Sequence, residues 1–117
     1  MRPAHAMSSG KLFLSRLIPE QIRALFPEED LPQYTPNTTK TVTDLIRELR
    51  VIADQNYVIS LQEIEPDLNG VSVLLEGNTW RSRIALVSSV PAQRSDRDSL
   101  LELKEMMLVS GRLLKRR

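Results

Sequence analysis

Between Thr41 and Ser60 the apolar pattern of this chain changes its period from three-and-four to two, with only a short polar break between. Val42, Leu45, Ile46, Leu49, Ile52 and Ala53 form a helical stripe. Thr41 with Asp44 resembles a capping box at its start, and Asn56 suits its C-terminal end. YVIS then reads as a strand, followed by a turn-prone stretch around EPDLNG, a second strand VSVLL, a break at EGNT and a third strand in WRSRIALVSSV. The last two are expected to form a hairpin. Helices that precede and follow such strands must lay their stripes on the sheet, so the pattern predicts an α+β layer arrangement around an antiparallel sheet.

The flanking segments fit that scheme. Lys11 to Ile18 carries Leu12, Phe13, Leu17 and Ile18 at helical spacing until Pro19 interrupts it. Proline suits a first helical turn, so PEQIRALF predicts a second short helix with Ile22, Leu25 and Phe26 inward. PEEDLPQYTPNTTK reads as a surface loop whose Glu28, Glu29 and Asp30 form a solvated acidic cluster. The chain closes on a helix from about Ser95, with Ser95 and Asp98 as cap candidates and Leu100, Leu103, Met107 and Leu114 on one side. Its KRR tail suits a helix C-terminus. Three strands make a marginal sheet unless others join it.

Composition narrows the function. A chain of 117 residues has room for one domain, and 41% hydrophobic with 26% charged residues describes a folded protein. Sixteen basic against fifteen acidic residues leave +1, so no overall field draws the chain to nucleic acid or an anionic membrane. The absence of cysteine removes disulfides and thiolate chemistry, and the single His5 leaves little for a metal site. No apolar run approaches a membrane span, and a cytoplasmic location is expected.

Few residues carry chemistry. In MSSGK, Ser8 and Ser9 are N-cap candidates for a helix starting near Gly10 or Lys11, and the small residues leave amide groups open. That stretch is an anion site in principle, or simply a capped helix whose glycine permits a turn. A Walker loop is excluded, because it requires glycine where His5 stands and a hydroxyl residue where Leu12 stands. Alternation puts Ala85, Val87 and Ser89 on one strand face and Leu86, Ser88 and Val90 on the other, so Ser89 faces a pocket or water. Glu63, Glu65 and Asp67 alternate as cation ligands would, but Pro66 among them favours a solvated loop. His5 sits three residues from Ser8 without an elbow motif or an orienting acid, which argues against a serine hydrolase. Trp80, beside the expected turn, fits packing or an interface anchor.

Taken in order, five stretches resemble the effector-binding domain of the IclR family of bacterial transcription regulators. PAHAMSSGKLFL is similar to that family's P-x-H-A-T-A-x-G-K-A-x-L segment. LPQYTPNTTKTVTDLIRELRVIADQNYVIS resembles its R-Y-T-P-N-T loop, helix and G-Y strand, and EIEPDLNGVSVLL resembles E-x-x-P-G-x-x-C-I-A-A-P. IALVSSVPAQR is similar to A-A-I-S-V-S-G-P-x-x-R, and the closing helix also fits. The resemblance covers residues 1–117 and implies a GAF-like antiparallel sheet flanked by helices, incomplete on its N-terminal side. The family's winged helix-turn-helix domain and the first strands of its sensor have no counterpart here, and the unpaired sheet edge this leaves predicts self-association.

The resemblance further implies a non-enzymatic sensor with an effector pocket at Ser8, Ser9, Ser60, Leu68, Gly70, Val87 and Ser89, without metal or cofactor. Ser8 and Ser9 occupy positions of two amide contacts to a small organic acid. Ser60 stands where members often have an acid, Gly70 where cysteine is common, and Val87 and Ser89 where two serines alternate. The lost polar partners predict a more apolar or differently shaped ligand. Implied partners are that acid and a homodimer or homotetramer, with DNA bound only through the absent winged helix-turn-helix and with no membrane. The alternatives are a structural dimerisation module with a decayed pocket, or a hydrolase using Ser8 or Ser9.

Overall fold

A computed structural model describes residues 4–76 and 83–115. A single 3₁₀ turn at Ala4–Ala6 leads into α1 (Ser8–Leu14), α2 (Pro19–Leu25) and α3 (Val42–Gln55). Strands β1 (Tyr57–Leu61), β2 (Leu68–Glu76) and β3 (Arg83–Pro91) follow, then a second 3₁₀ turn and α4 (Arg97–Lys115). The sheet is an antiparallel meander in the order β1-β2-β3. This is the expected α+β arrangement. The turn expected at EGNT lies largely outside the described residues, as do Trp80 and Arg81, the end of the KRR tail and the side chain of Leu114.

α3 forms where its period predicts. Thr41 Oγ1 accepts from the Asp44 amide at 3.1 Å, and Asn56 ends the helix in the left-handed region at φ 64°. Val42, Leu45, Leu49 and Ile52 are buried and join Leu12, Leu14, Ile22, Leu31 and Val58 in one core between α1, α2, α3 and β1. The second helix differs from expectation. Pro19 starts it and Ile22 is buried, but Leu25, its last helical residue, is 57% exposed. Phe26 packs against the core as expected and stands edge-on to His5, with ring centroids 5.8 Å apart.

The closing helix starts at Arg97, and its cap is Asp96 rather than Ser95 or Asp98. Asp96 Oδ1 accepts from the Ser99 amide at 2.8 Å while Ser99 Oγ accepts from the Asp96 amide at 2.9 Å. These Ser99 bonds hold the Asp96 carboxyl below its ordinary pKa. Ser95 serves another purpose, donating to the Pro91 carbonyl and accepting from Asn69 Nδ2. α4 covers one face of the sheet, with Leu100 buried and Gly111 so close to Leu75 that a Cβ would collide with it. Lys104 Nζ lies 4.3 Å from the centre of the Tyr57 ring.

Gly10 answers a similar demand: a Cβ there would run into the Ala4 carbonyl, so the 3₁₀ turn folds back on α1 only over a glycine. His5, buried in that turn, reaches the Pro32 carbonyl through Nε2 at 2.6 Å. The acidic loop is solvated as predicted, and its exposed Glu29 accepts from the Thr43 amide and hydroxyl and pairs with Arg23. The Thr43 bonds keep its carboxyl below the ordinary value.

The largest departure is Glu63. Predicted in a solvated loop, it is buried and pairs with Lys11, itself 2% exposed. Lys11 Nζ also lies 2.5 Å from Glu48 Oε2 and 3.1 Å from Thr39 Oγ1. Its three protons therefore have three acceptors, one each from the loop before α3, from α3 and from the turn after β1.

The two edges of the sheet differ. At the outer edge of β1 the Tyr57 carbonyl accepts from Gln55 Nε2 at 2.9 Å and the Leu61 carbonyl from Asn37 Nδ2 at 3.0 Å. At the outer edge of β3, the backbone groups of Ala85, Val87 and Ser89 have no partner among the described residues. Replacing Lys11 with methionine leaves Glu63 buried without its cation. K11M is expected to cost about 3–5 kcal/mol in urea unfolding, and the pair K11M/E63L to recover much of it; equal losses in both would remove the ion pair as the cause.

Candidate functional site

Strand alternation puts Val58 and Ser60 of β1, Leu68, Gly70 and Ser72 of β2, and Val87 and Ser89 of β3 on the face opposite α4. Register aligns them further, because Ser60 pairs with Gly70 and Gly70 with Ser89, giving a row hydroxyl, gap, hydroxyl across three strands. The N-terminal turn of α1 lies over this row. Ser8, Ser9, Ser60, Leu68, Gly70, Val87 and Ser89 border one cavity of about 60 Å³, with Ala6, Met7, Ile64 and Asn69 completing its wall. All seven residues named from the sequence are thus brought together, from four elements.

Ser8 does not cap α1. It is the first helical residue, Met7 holds the cap position without a side-chain bond, and the Ser8 hydroxyl turns to the sheet, 2.7 Å from Ser72 Oγ. Ser9 also lies within the helix, so neither serine is the cap that the sequence predicted. The amides of the first helical residues, Ser8 and Ser9 among them, lack intrahelical acceptors by helix geometry. Gly70 is what keeps this corner open. A Cβ there would stand 3.1 Å from Ser8 Oγ and 3.9 Å from Ser60 Cβ, filling the space between the two hydroxyls.

The cavity is closed on the β1 side and open on the β3 side. Ser8 and Ser60 are buried, whereas Val87 is 53% exposed and Ser89 is also exposed. The enclosed end of the cavity therefore carries the hydroxyls of Ser8 and Ser60, and its open end is bordered by Val87. Its volume, below the roughly 300–1,000 Å³ of sites that enclose a whole drug-sized ligand, admits a head group only. Ser72 was not named from the sequence; its place opposite Ser8 depends on how α1 crosses β2, which no local pattern encodes. No group of three or more His, Cys, Asp or Glu side chains is placed to hold a metal among the described residues.

An antiparallel sheet with helices on both faces and a small cavity under one of them is the build of a GAF-like sensing domain. Residues 1–116 match the family model of the bacterial transcriptional regulator IclR C-terminal region. The chain belongs to the IclR family of bacterial transcriptional regulators and corresponds to its effector-binding domain. It is 24% identical over 110 residues to the HTH-type transcriptional repressor AllR of Escherichia coli K12, an alignment covering 94% of this chain and 41% of AllR. It therefore spans less than half the length of that curated relative.

Among solved structures, the Agobacterium tumefaciens repressor BlcR superposes with a TM-score of 0.82 at 19% identity, covering 98% of this chain and 47% of BlcR. The inducer-binding domain of the Acinetobacter transcription factor PobR, solved as a double mutant with 3-hydroxybenzoic acid, gives 0.77 at 25% identity over 86% of this chain and 57% of that one. The matched family is one of transcriptional regulators rather than hydrolases, so the family assignment gives the hydrolase alternative no support. No helix among the described residues is long and apolar enough to cross a membrane.

The serine pair makes a stability prediction. Ser8→Ala strands a fully buried Ser72 hydroxyl and should cost about 1–3 kcal/mol, whereas S8A/S72A removes both partners and should cost less than S8A alone. Additive losses in denaturant unfolding would show that the two hydroxyls are not coupled.

Proposed function

We propose that this chain is the ligand-sensing part of an IclR-type regulator, binding a small organic acid at Ser8, Ser9, Ser60, Leu68, Gly70, Val87 and Ser89. The observation that carries the reading is the convergence of these seven residues on one cavity. The acid's oxygens meet the amides at the start of α1 and the hydroxyls of Ser8 and Ser60, and its carbon skeleton lies along Leu68 and Val87. Support for an acid comes from PobR, whose inducer-binding domain was solved with 3-hydroxybenzoic acid. Where such domains carry cysteine and a second serine, this chain has Gly70 and Val87, so a less polar body suits it than a hydroxy acid.

The sensor works as part of a homodimer or homotetramer in the cytoplasm. DNA is read by a winged helix-turn-helix domain outside this chain, and the acid shifts the assembly only as far as its affinities for the two arrangements differ. A second reading draws on the small size of the cavity: a structural dimerisation module whose pocket has decayed.

Isothermal titration against two- to eight-carbon keto, hydroxy and aromatic acids separates the two. The sensor reading expects heat from at least one acid and its loss in Ser9→Asp, which sets a negative charge beside the amides. A folded, dimeric chain silent to every acid would establish the dimerisation module instead. Filling the corner should act the same way: Gly70→Val is expected to weaken the best acid at least tenfold, about 1.4 kcal/mol, with the fold retained by circular dichroism.

A further inference from the structure

Ser8 and Ser72 each stand where the resembled motifs carry alanine: Ser8 at the alanine ahead of x-G-K, Ser72 at the first alanine of C-I-A-A-P. The two positions are 64 residues apart in sequence, and their hydroxyl oxygens are 2.7 Å apart in space. Two positions that the resembled motifs fill with alanine are joined here by one hydrogen bond. Ser72 is fully buried at 0% exposure, and among the described residues its hydroxyl bonds only Ser8. Ser8 borders the cavity.

The proton count fixes what this pair does. Two hydroxyls carry two protons, and the bond between them uses one. If Ser8 donated to Ser72, the remaining proton would be that of Ser72, buried with nothing to accept it. If Ser72 donates to Ser8, the remaining proton is that of Ser8, which turns into the cavity toward water or a ligand. The second arrangement satisfies both groups. It also occupies one Ser8 lone pair with the Ser72 proton, so Ser8 meets a ligand chiefly as a donor.

We propose that Ser72 is a specificity-determining positioning residue: by donating to Ser8 it makes the closed end of the cavity a hydrogen-bond donor, selecting ligands whose head is an acceptor, a carboxylate or carbonyl, over heads that donate. The proposal rests on the pocket reading above and adds to it a residue that does not line the pocket. Gly70 belongs to the same device, because the absent side chain at that position exposes Ser8 Oγ to the ligand.

The direction of the bond is measurable without a ligand. In mixed H2O and D2O, a serine whose hydroxyl proton exchanges slowly shows a doubled Cβ signal in the carbon NMR spectrum. The expected result is doubling at Ser72 and an averaged signal at Ser8. Doubling at Ser8 alone, or averaging at both, overturns the proposal. The selectivity is read with benzoate, whose head only accepts, and aniline, whose head donates, titrated against the unaltered chain, Ser72→Thr and Ser72→Val.

Threonine keeps the hydroxyl and valine keeps threonine's shape without it. The preference for benzoate over aniline is expected to persist in S72T and to fall about tenfold in S72V, the worth of one directed hydrogen bond. An equal preference in both variants overturns the role of Ser72. Binding of neither probe nor of any acid in the panel above by the unaltered chain, with the doubling still at Ser72, would instead overturn the pocket reading and the selectivity with it, leaving only the direction of the bond.

Discussion

A single buried cation organises the helical side of this domain. Lys11 projects from α1 into a place where the loop before α3, α3 itself and the turn after β1 each supply one oxygen. Burying an ammonium is tolerable only when every proton finds an acceptor, so the arrangement is all or nothing. Its effect on the site is indirect but firm. α1 is only seven residues long and has no side-chain cap, so it has little stability of its own. What holds its first turn over the sheet is Lys11 three residues on, together with Leu12 and Leu14 in the core.

Much of this was legible in the sequence. α3 announced its stripe, its cap and its left-handed end because each depends on neighbours within four residues, and the three strands announced themselves by period and turn chemistry. The pocket residues were legible through the order of five family-like stretches. What local pattern did not reveal is what depends on distance along the chain. Glu63 looked like one of three solvated acids because its partner lies 52 residues away. Ser8 looked like a cap because its partner lies on a strand not yet placed. Ser95 looks like a cap for the same reason: its hydroxyl accepts from Asn69, 26 residues away, and the cap falls to Asp96.

Serine chemistry and glycine spacing work together at the cavity. A serine donor is useful only where a ligand can reach it, and Gly70 supplies that reach at the cost of a side chain that would have packed on β2. Polarity at Ser8 and space at position 70 are therefore coupled choices, and changing either alters what the other accomplishes. The family's motifs carry alanine and cysteine at these places, a solution with less polarity and less room.

The unlike edges of the sheet give the domain a handedness of growth. At β1, Gln55 and Asn37 occupy the outward carbonyls at either end of the strand, so an incoming chain would first have to dislodge two amide side chains. At β3 nothing among the described residues stands in the way. Any extension of the hydrogen-bonded ladder is therefore biased to one flank, the flank on which Val87 and Ser89 leave the cavity open. A strand added there would lie beside the open mouth of the cavity, on the side of Val87 and Ser89.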